Sequence, residues 1–295
     1  MNAANAELNS RGGNDSGLNV IEKHVVSSAP QMRLSDYAVS KFESLPSRKS
    51  VKKAIKRGLL LVDGEVSETG HWVKEGEVLT VVADEAVRPV YERTINVLYE
   101  DDYVAAVQKP ADLPVSGNAF RTLQNALAFN LTPSSQKDAL SVPRPVHRLD
   151  RLTGGVVIIA KTFRAAAHLG SQFENRTVVK TYLAWVSGSI ESTMALENPI
   201  EGKEALTAIE PIRSIHHRRF SQITLVEAKP KTGRRNQIRI HLSEAGFPIL
   251  GDLKFDGVKS GKGLFLFATK ISFVHPNSKQ PQEVEAVVPK KFKLD

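Results

Sequence analysis

The densest run of reactive side chains is Arg144-Pro145-Val146-His147-Arg148-Leu149-Asp150-Arg151-Leu152-Thr153-Gly154-Gly155, followed by the apolar stretch Val156-Val157-Ile158-Ile159-Ala160. A carboxylate beside a guanidinium is held ionised, because an adjacent opposite charge lowers its pKa by about 1–3 units. Kept away from water, such a carboxylate can act as a nucleophile. The same acid between Arg148 and Arg151 also suits a structural ion pair, and this run alone leaves both readings open. Gly154-Gly155 permits unusual backbone angles and close approach of a neighbour. The apolar stretch reads as a buried strand that would hold the Asp150 turn in place.

Other clusters carry less chemistry. His216-His217-Arg218-Arg219 reads as a basic exposed loop rather than a metal site, since adjacent side chains rarely converge on one ion. Lys229-Pro230-Lys231-Thr232-Gly233-Arg234-Arg235 is a basic loop at a helix start, suited to phosphate through charge and backbone N–H groups. His241 is explained by packing. The chain of 295 residues has no cysteine, which excludes disulfides, thiolate catalysis and cysteine-held metals. Its net charge of +8 favours a polyanionic partner. It contains no dinucleotide-binding fingerprint and no P-loop. No apolar run is long enough to span a membrane, and the start of the chain lacks the apolar stretch of a signal peptide.

The elements that must position these groups can be outlined. Residues 1–30 are rich in Asn, Gly, Ser and Ala and read as a disordered tail. Residues 31–85 form a small module, with a short helix from Leu34 and a second over 48–57. Ser47 serves as N-cap of that second helix and Gly58 as its stop. Asp63-Gly64 marks a hairpin turn. The second helix carries Arg48, Lys49, Lys52, Lys53, Lys56 and Arg57 with no acid among them, an arrangement suited to phosphates. Residues 86–94 read as a linker. From 95 to 295 strands are expected at 95–99, 104–108, 156–160, 181–186, 221–228 and 264–269, and helices at 123–130, 164–172 and 235–245.

Together these segments resemble a known family. His147-Arg148-Leu149-Asp150 with Thr153 and Gly155 is similar to the His-Arg-Leu-Asp-x-x-Thr-Ser-Gly signature of the RluA-type pseudouridine synthases. Leu98-Tyr99-Glu100-Asp101-Asp102 and Lys109-Pro110 match an earlier family segment. Lys180-Thr181-Tyr182-Leu183-Ala184-Trp185-Val186-Ser187-Gly188 matches a later one. Gly233-Arg234-Arg235-Asn236-Gln237-Ile238-Arg239 and Phe273-Val274-His275-Pro276 complete the order. The resemblance covers about residues 95–280. It departs from the pattern at Asp112, Gly154, Arg235-Asn236 and Phe267, where the family usually has Gly, Ser, Thr-His and His. Residues 33–77 resemble the alpha-L RNA-binding module of a small-subunit ribosomal protein.

The resemblance implies an α+β catalytic fold built on a long, mostly antiparallel sheet with flanking helices, plus a small N-terminal alpha-L domain. It implies Asp150 as the nucleophile, Tyr182 against the target base and Arg239 as the charge partner of Asp150. His147, Arg148, Arg234 and Gln237 are expected to bind substrate, with Arg148 helping to displace the base. No cofactor or metal is expected. The partner is structured RNA, large-subunit ribosomal RNA ahead of transfer RNA, and the protein is expected to be a cytoplasmic monomer. A non-catalytic RNA-binding assembly factor on the same fold is the competing reading. A third reading, a hydrolase with Asp150 as nucleophile, finds no convincing second carboxylate or oxyanion site in the sequence.

Overall fold

A computed structural model describes residues 19–28, 31–83 and 90–294. The chain divides into two compact units, Met1–Glu85 and Ala86–Asp295.

In the first unit, β1 (Val20–Val25), β2 (Leu60–Val62), β3 (Glu65–Val66) and β4 (Val78–Val82) form an antiparallel sheet in the order β1-β4-β2-β3. Strand β1 corrects part of the expected tail. Its residues have little side-chain alternation of their own and become a strand by pairing along the edge of β4, Lys23 against Thr80. Residues 1–18 and 29–30 of the expected tail lie outside the described residues, as do residues 86–89 of the expected linker.

Helices α1 (Leu34–Tyr37) and α2 (Arg48–Lys56) close a core that includes Leu34, Phe42, Val51, Ile55, Leu60 and Leu79. Helix α2 starts at a reciprocal cap in which the Ser50 N–H donates to Ser47 Oγ at 3.1 Å and the Ser47 N–H donates to Ser50 Oγ at 3.0 Å. It stops at Gly58, φ +67°, with the Gly58 N–H donating to Ile55 O and the Leu59 N–H to Ala54 O. The six basic residues of this region are exposed. The acid-free reading of the helix needs one correction. Arg48 is paired with Asp36 of α1, Nε to Oδ1 at 2.7 Å, because the capped start of α2 packs beside α1.

The second unit is built on one large sheet. Its strands are β5 (Asn96–Glu100), β6 (Val104–Lys109), β7 (Ala139–Pro145), β8 (Gly154–Thr162), β9 (Val179–Ser187), β10 (Met194–Leu196), β11 (Thr207–His217), β12 (Ser221–Pro230), β13 (Leu266–Val274) and β14 (Pro281–Glu285). The order is β10-β11-β12-β9-β13-β8-β6-β5, with β7 also on β8 and β14 on β13. Every pairing is antiparallel except β13 with β8. Every residue of β8 is buried, as its unbroken apolar run requires.

Helix α3 (Leu123–Asn130) is capped by Thr122, α4 (Phe163–Glu174) by Thr162, and α5 (Gln237–Glu244) follows the basic loop. Leu123, Leu127, Leu149, Val157 and Ile159 share one core, so the backbone just before Asp150 is anchored in packed side chains. Among the described residues no helix is long and apolar enough to cross a membrane.

Candidate active site

The site begins where β8 begins. Gly155 has φ +127°, and a Cβ there would lie 2.1 Å from the Ala268 carbonyl oxygen. Only glycine allows β8 and β13 to approach this closely. Gly154 is also crowded. A Cβ on it would meet Lys109 O at 3.2 Å, Ala111 N at 3.3 Å and the edge of the Phe267 ring at 3.3 Å. Gly154 and Phe267 are register partners across the parallel pair. Two of the departures from the family pattern are therefore neighbours, and the Phe267 ring fills room that a serine side chain would need.

The loop from β7 to β8 carries Asp150 and is tied down from several sides. The Thr153 N–H donates to Asp150 O at 3.1 Å, and the Asp112 N–H donates to Arg151 O at 2.8 Å. Lys109 is wholly buried beneath it, and its ammonium donates to the carbonyls of Pro110, Leu113 and Arg151 at 2.9, 2.7 and 3.2 Å. Burial pushes Lys109 down to about 7, against the opposing pull of the Asp150 and Asp112 carboxylates. Arg151 pairs with Asp112, Nη2 to Oδ1 at 2.8 Å. Among the described residues no side chain forms an ion pair or hydrogen bond with the Asp150 carboxylate. The structural ion pair that the bare motif left open is not formed.

A cavity of about 650 Å³ opens in front of this loop. It is lined by all seven expected catalytic and substrate residues: Asp150, Tyr182, Arg239, His147, Arg148, Arg234 and Gln237. Tyr182 sits on β9 in register with Ala228 and Ala268. Burial first, and the Asp150 carboxylate second, push its phenol above the ordinary tyrosine value, so it stays protonated at neutral pH.

Arg239 differs from expectation. Its guanidinium makes a two-bond fork with Asp252, Nε to Oδ2 at 2.6 Å and Nη2 to Oδ1 at 2.7 Å, and Nη1 donates to Asn236 Oδ1 at 2.8 Å. The Asp252 side chain is fully buried in the turn after Ile249, where an ionised carboxylate requires a matching charge. Asn236 accommodates this by taking φ +56°, a left-handed conformation that asparagine tolerates. Arg239 thus reaches the cavity wall paired to Asp252, not to Asp150.

Two other expected substrate groups are occupied by the protein itself. The amide of Gln237 donates to Leu206 O and Thr207 Oγ1, and its oxygen accepts from Thr232 Oγ1 and the Arg234 N–H. It therefore shapes the basic loop. His147 accepts the Ile158 N–H on Nε2 at 3.0 Å and stacks on Phe173 at 4.7 Å. Burial pushes it down to about 3, so it is a neutral wall.

Arg148 is exposed at the mouth. Arg234 donates from Nε to Glu204 O, while the Glu204 carboxylate holds Arg176 at 3.1 and 3.0 Å. Sequence reasoning assigned no role to Lys109, Arg176, Lys180 or Asp252. Lys180 lines the cavity with a single carbonyl partner, Thr232 O at 3.1 Å, and burial pushes it down to about 8. Its place two residues before Tyr182 on a strand, hence on the same face, was the available signal. Among the described residues no cluster of His, Asp or Glu could hold a metal ion.

The sequence and fold are similar to those of known proteins. The RNA pseudouridylate synthase family model fits residues 103–244. An uncharacterized RNA pseudouridine synthase of Aquifex aeolicus is 34% identical over 280 residues, covering 84% of this chain and 87% of that one. The ribosomal large subunit pseudouridine synthase D of Xanthomonas campestris is 33% identical, covering 82% of each. A solved human structure, RNA Pseudouridylate Synthase Domain Containing 1, superposes with a TM-score of 0.56 at 24% identity, over 69% of this chain and 87% of that one, and shares the fold. The chain belongs to the RluA-type family of RNA pseudouridine synthases, which are isomerases.

Proposed function

We propose that this enzyme converts specific uridines of large-subunit ribosomal RNA to pseudouridine, with Asp150 as the nucleophile. The observation that carries the assignment is an Asp150 carboxylate facing a 650 Å³ cavity with no protein partner of its own, beside a protonated Tyr182. The isomerisation breaks the bond from N1 of uracil to C1′ of the ribose and joins C5 to C1′. The C5 proton is released and N1 is protonated, so atoms balance without a co-reactant. A carboxylate not neutralised by the protein can engage the nucleotide, and the flat Tyr182 ring can pack against the base. The base must leave its stack, at a cost of a few kcal/mol, and the exposed Arg148 at the mouth is placed to take its room. Lys180, Arg234 and Arg176 supply positive charge along the cavity for flanking phosphates. The fold also accommodates a non-catalytic binder, but such a protein has no use for an unpaired carboxylate facing the cavity.

The first unit is proposed as an accessory RNA-holding module through α2. Ribosomal rather than transfer RNA is favoured by the similarity to a ribosomal large subunit enzyme. Asp150→Asn should abolish tritium release from a large-subunit transcript labelled at C5 of uridine, with RNA affinity within severalfold of the parent. Normal release by that variant would remove Asp150 from the mechanism. A pseudouridine map of total RNA with and without the gene names the target. A change confined to transfer RNA would overturn the substrate assignment alone.

A further inference from the structure

The tip of the β11–β12 hairpin has a constructed surface that the cavity does not explain. The turn His217-Arg218-Arg219-Phe220 closes with the Phe220 N–H donating to His217 O at 3.1 Å, and Ser221 follows at φ +59°. This is the three-residue hairpin loop with a left-handed closing residue. The Arg219 N–H donates to His217 Nδ1 at 3.1 Å and fixes the imidazole, which stacks on Phe220 at 4.7 Å and 21°. The Arg219 guanidinium lies over the same ring at 5.2 Å, and its Nη2 donates to Lys259 O. The tip is thereby joined to the 257–264 loop, where Lys259 and Lys262 are exposed, as is Arg218. Neither residues 211–222 nor 257–264 contain an acidic residue. Like charges held this close repel, which favours an anionic partner.

Residues Ser221 and Ala228 are seven positions apart on β12, and Ala228 is in register with Tyr182. At about 3.3 Å per residue the tip is roughly 23 Å from Tyr182 along β12. We infer that the hairpin tip with the 257–264 loop is a second RNA-binding site, in which Arg218, Arg219, Lys259 and Lys262 hold phosphates and the His217–Phe220–Arg219 stack receives an unpaired base. Both flat aromatic faces and guanidinium planes are groups on which RNA bases stack. The inference rests on the proposed RNA substrate, and it assigns these residues to a part of that RNA remote from the modified uridine.

The test uses the full chain and Arg218→Glu/Arg219→Glu, with an unmodified large-subunit ribosomal RNA transcript and a short stem-loop excised around the modified uridine. The expected result is a roughly tenfold weaker Kd for the transcript and a salt slope smaller by about 1.4–1.8, the value for two lost phosphate contacts. The kcat and KM on the stem-loop stay unchanged. Phe220→Ala should weaken transcript binding without changing the salt slope. Unchanged transcript binding overturns the site, and so does an equal loss on both RNAs. Binding of the parent to anionic phospholipid vesicles through these arginines, with RNA affinity unmoved, would assign the patch to a lipid surface and also overturn it. Absence of tritium release by the parent protein would instead sink the substrate assignment, while the binding comparison would still read the hairpin tip.

Discussion

Gly154 and Phe267 should behave as one unit. A serine at 154 puts its Cβ 3.2–3.3 Å from backbone atoms of Lys109 and Ala111 on one side and the Phe267 ring on the other. The backbone atoms belong to the segment that Lys109 ties to the Asp150 loop and cannot retreat freely, so the strain passes to the ring and to β8. Overpacking of this size costs about 1–3 kcal/mol. Phe267→His alone keeps most of the volume but places a polar ring at a site 3% exposed, at about 1–3 kcal/mol if its nitrogens are unmatched. In Gly154→Ser/Phe267→His the smaller imidazole makes room and can pair with the new hydroxyl. The double variant should therefore lose less than the sum of the singles, with a coupling of about 1–2 kcal/mol. Urea unfolding followed by fluorescence reads this unit directly, because Trp185 is buried in it while Trp72 belongs to the other unit and is 55% exposed. Gly154→Ser should also lower kcat about tenfold, since only three residues separate it from Asp150 and small displacements of reacting groups cost rate steeply. Additive single effects, within about 0.5 kcal/mol, would refute the compensation.

Three further outcomes follow from the site. Lys180 is held at about 8 by burial, so the free enzyme loses this charge as pH rises through 8, whereas a bound phosphate favours the charged form. RNA affinity should be constant below pH 7 and fall above pH 8 by at most tenfold per unit. Lys180→Met should remove that limb, and an identical limb in the variant would clear Lys180 of the role. Asp252→Asn leaves the Arg239 guanidinium buried without its charge partner and should cost about 3–5 kcal/mol. Arg239→Met/Asp252→Leu should unfold at higher urea than Asp252→Asn, and the opposite order would show that the fork does more than neutralise charge. Reversing Lys52, Lys53 and Lys56 should weaken RNA binding and reduce its salt slope by about 2–3, with an unchanged slope counting against α2 as an RNA contact.

What could be read from residues alone depended on how local the cause was. Strand β8, the helix α2 cap at Ser47 and the turn at Asp63-Gly64 are set by near neighbours, and the structure forms them where the sequence pattern places them. Strand β11 was not legible. Its eleven residues include Pro211, Arg213 and two histidines with no clean alternation. It forms because β12 offers an edge, and a register shift between Pro211 and Arg213 absorbs the proline. The missed strand is also what turns an apparent basic loop at residues 216–219 into a rigid hairpin tip.

Arg239 shows the same limit in chemical form. Its type and place in the motif put it at the cavity wall, and they do not say which of two carboxylates it holds. Asp252 takes the guanidinium because it is the fully buried acid, for which an unmatched charge costs most, while Asp150 faces a cavity. That division has a functional consequence. A carboxylate already locked in an arginine fork has its lone pairs committed, whereas Asp150 keeps both oxygens free of side-chain partners, as the proposed nucleophile requires. Beneath the loop the Asp150 and Asp112 carboxylates oppose the burial that pushes Lys109 down to about 7. The fork with Asp252 fixes the wall, and the carboxylate proposed as the nucleophile is left without a protein partner.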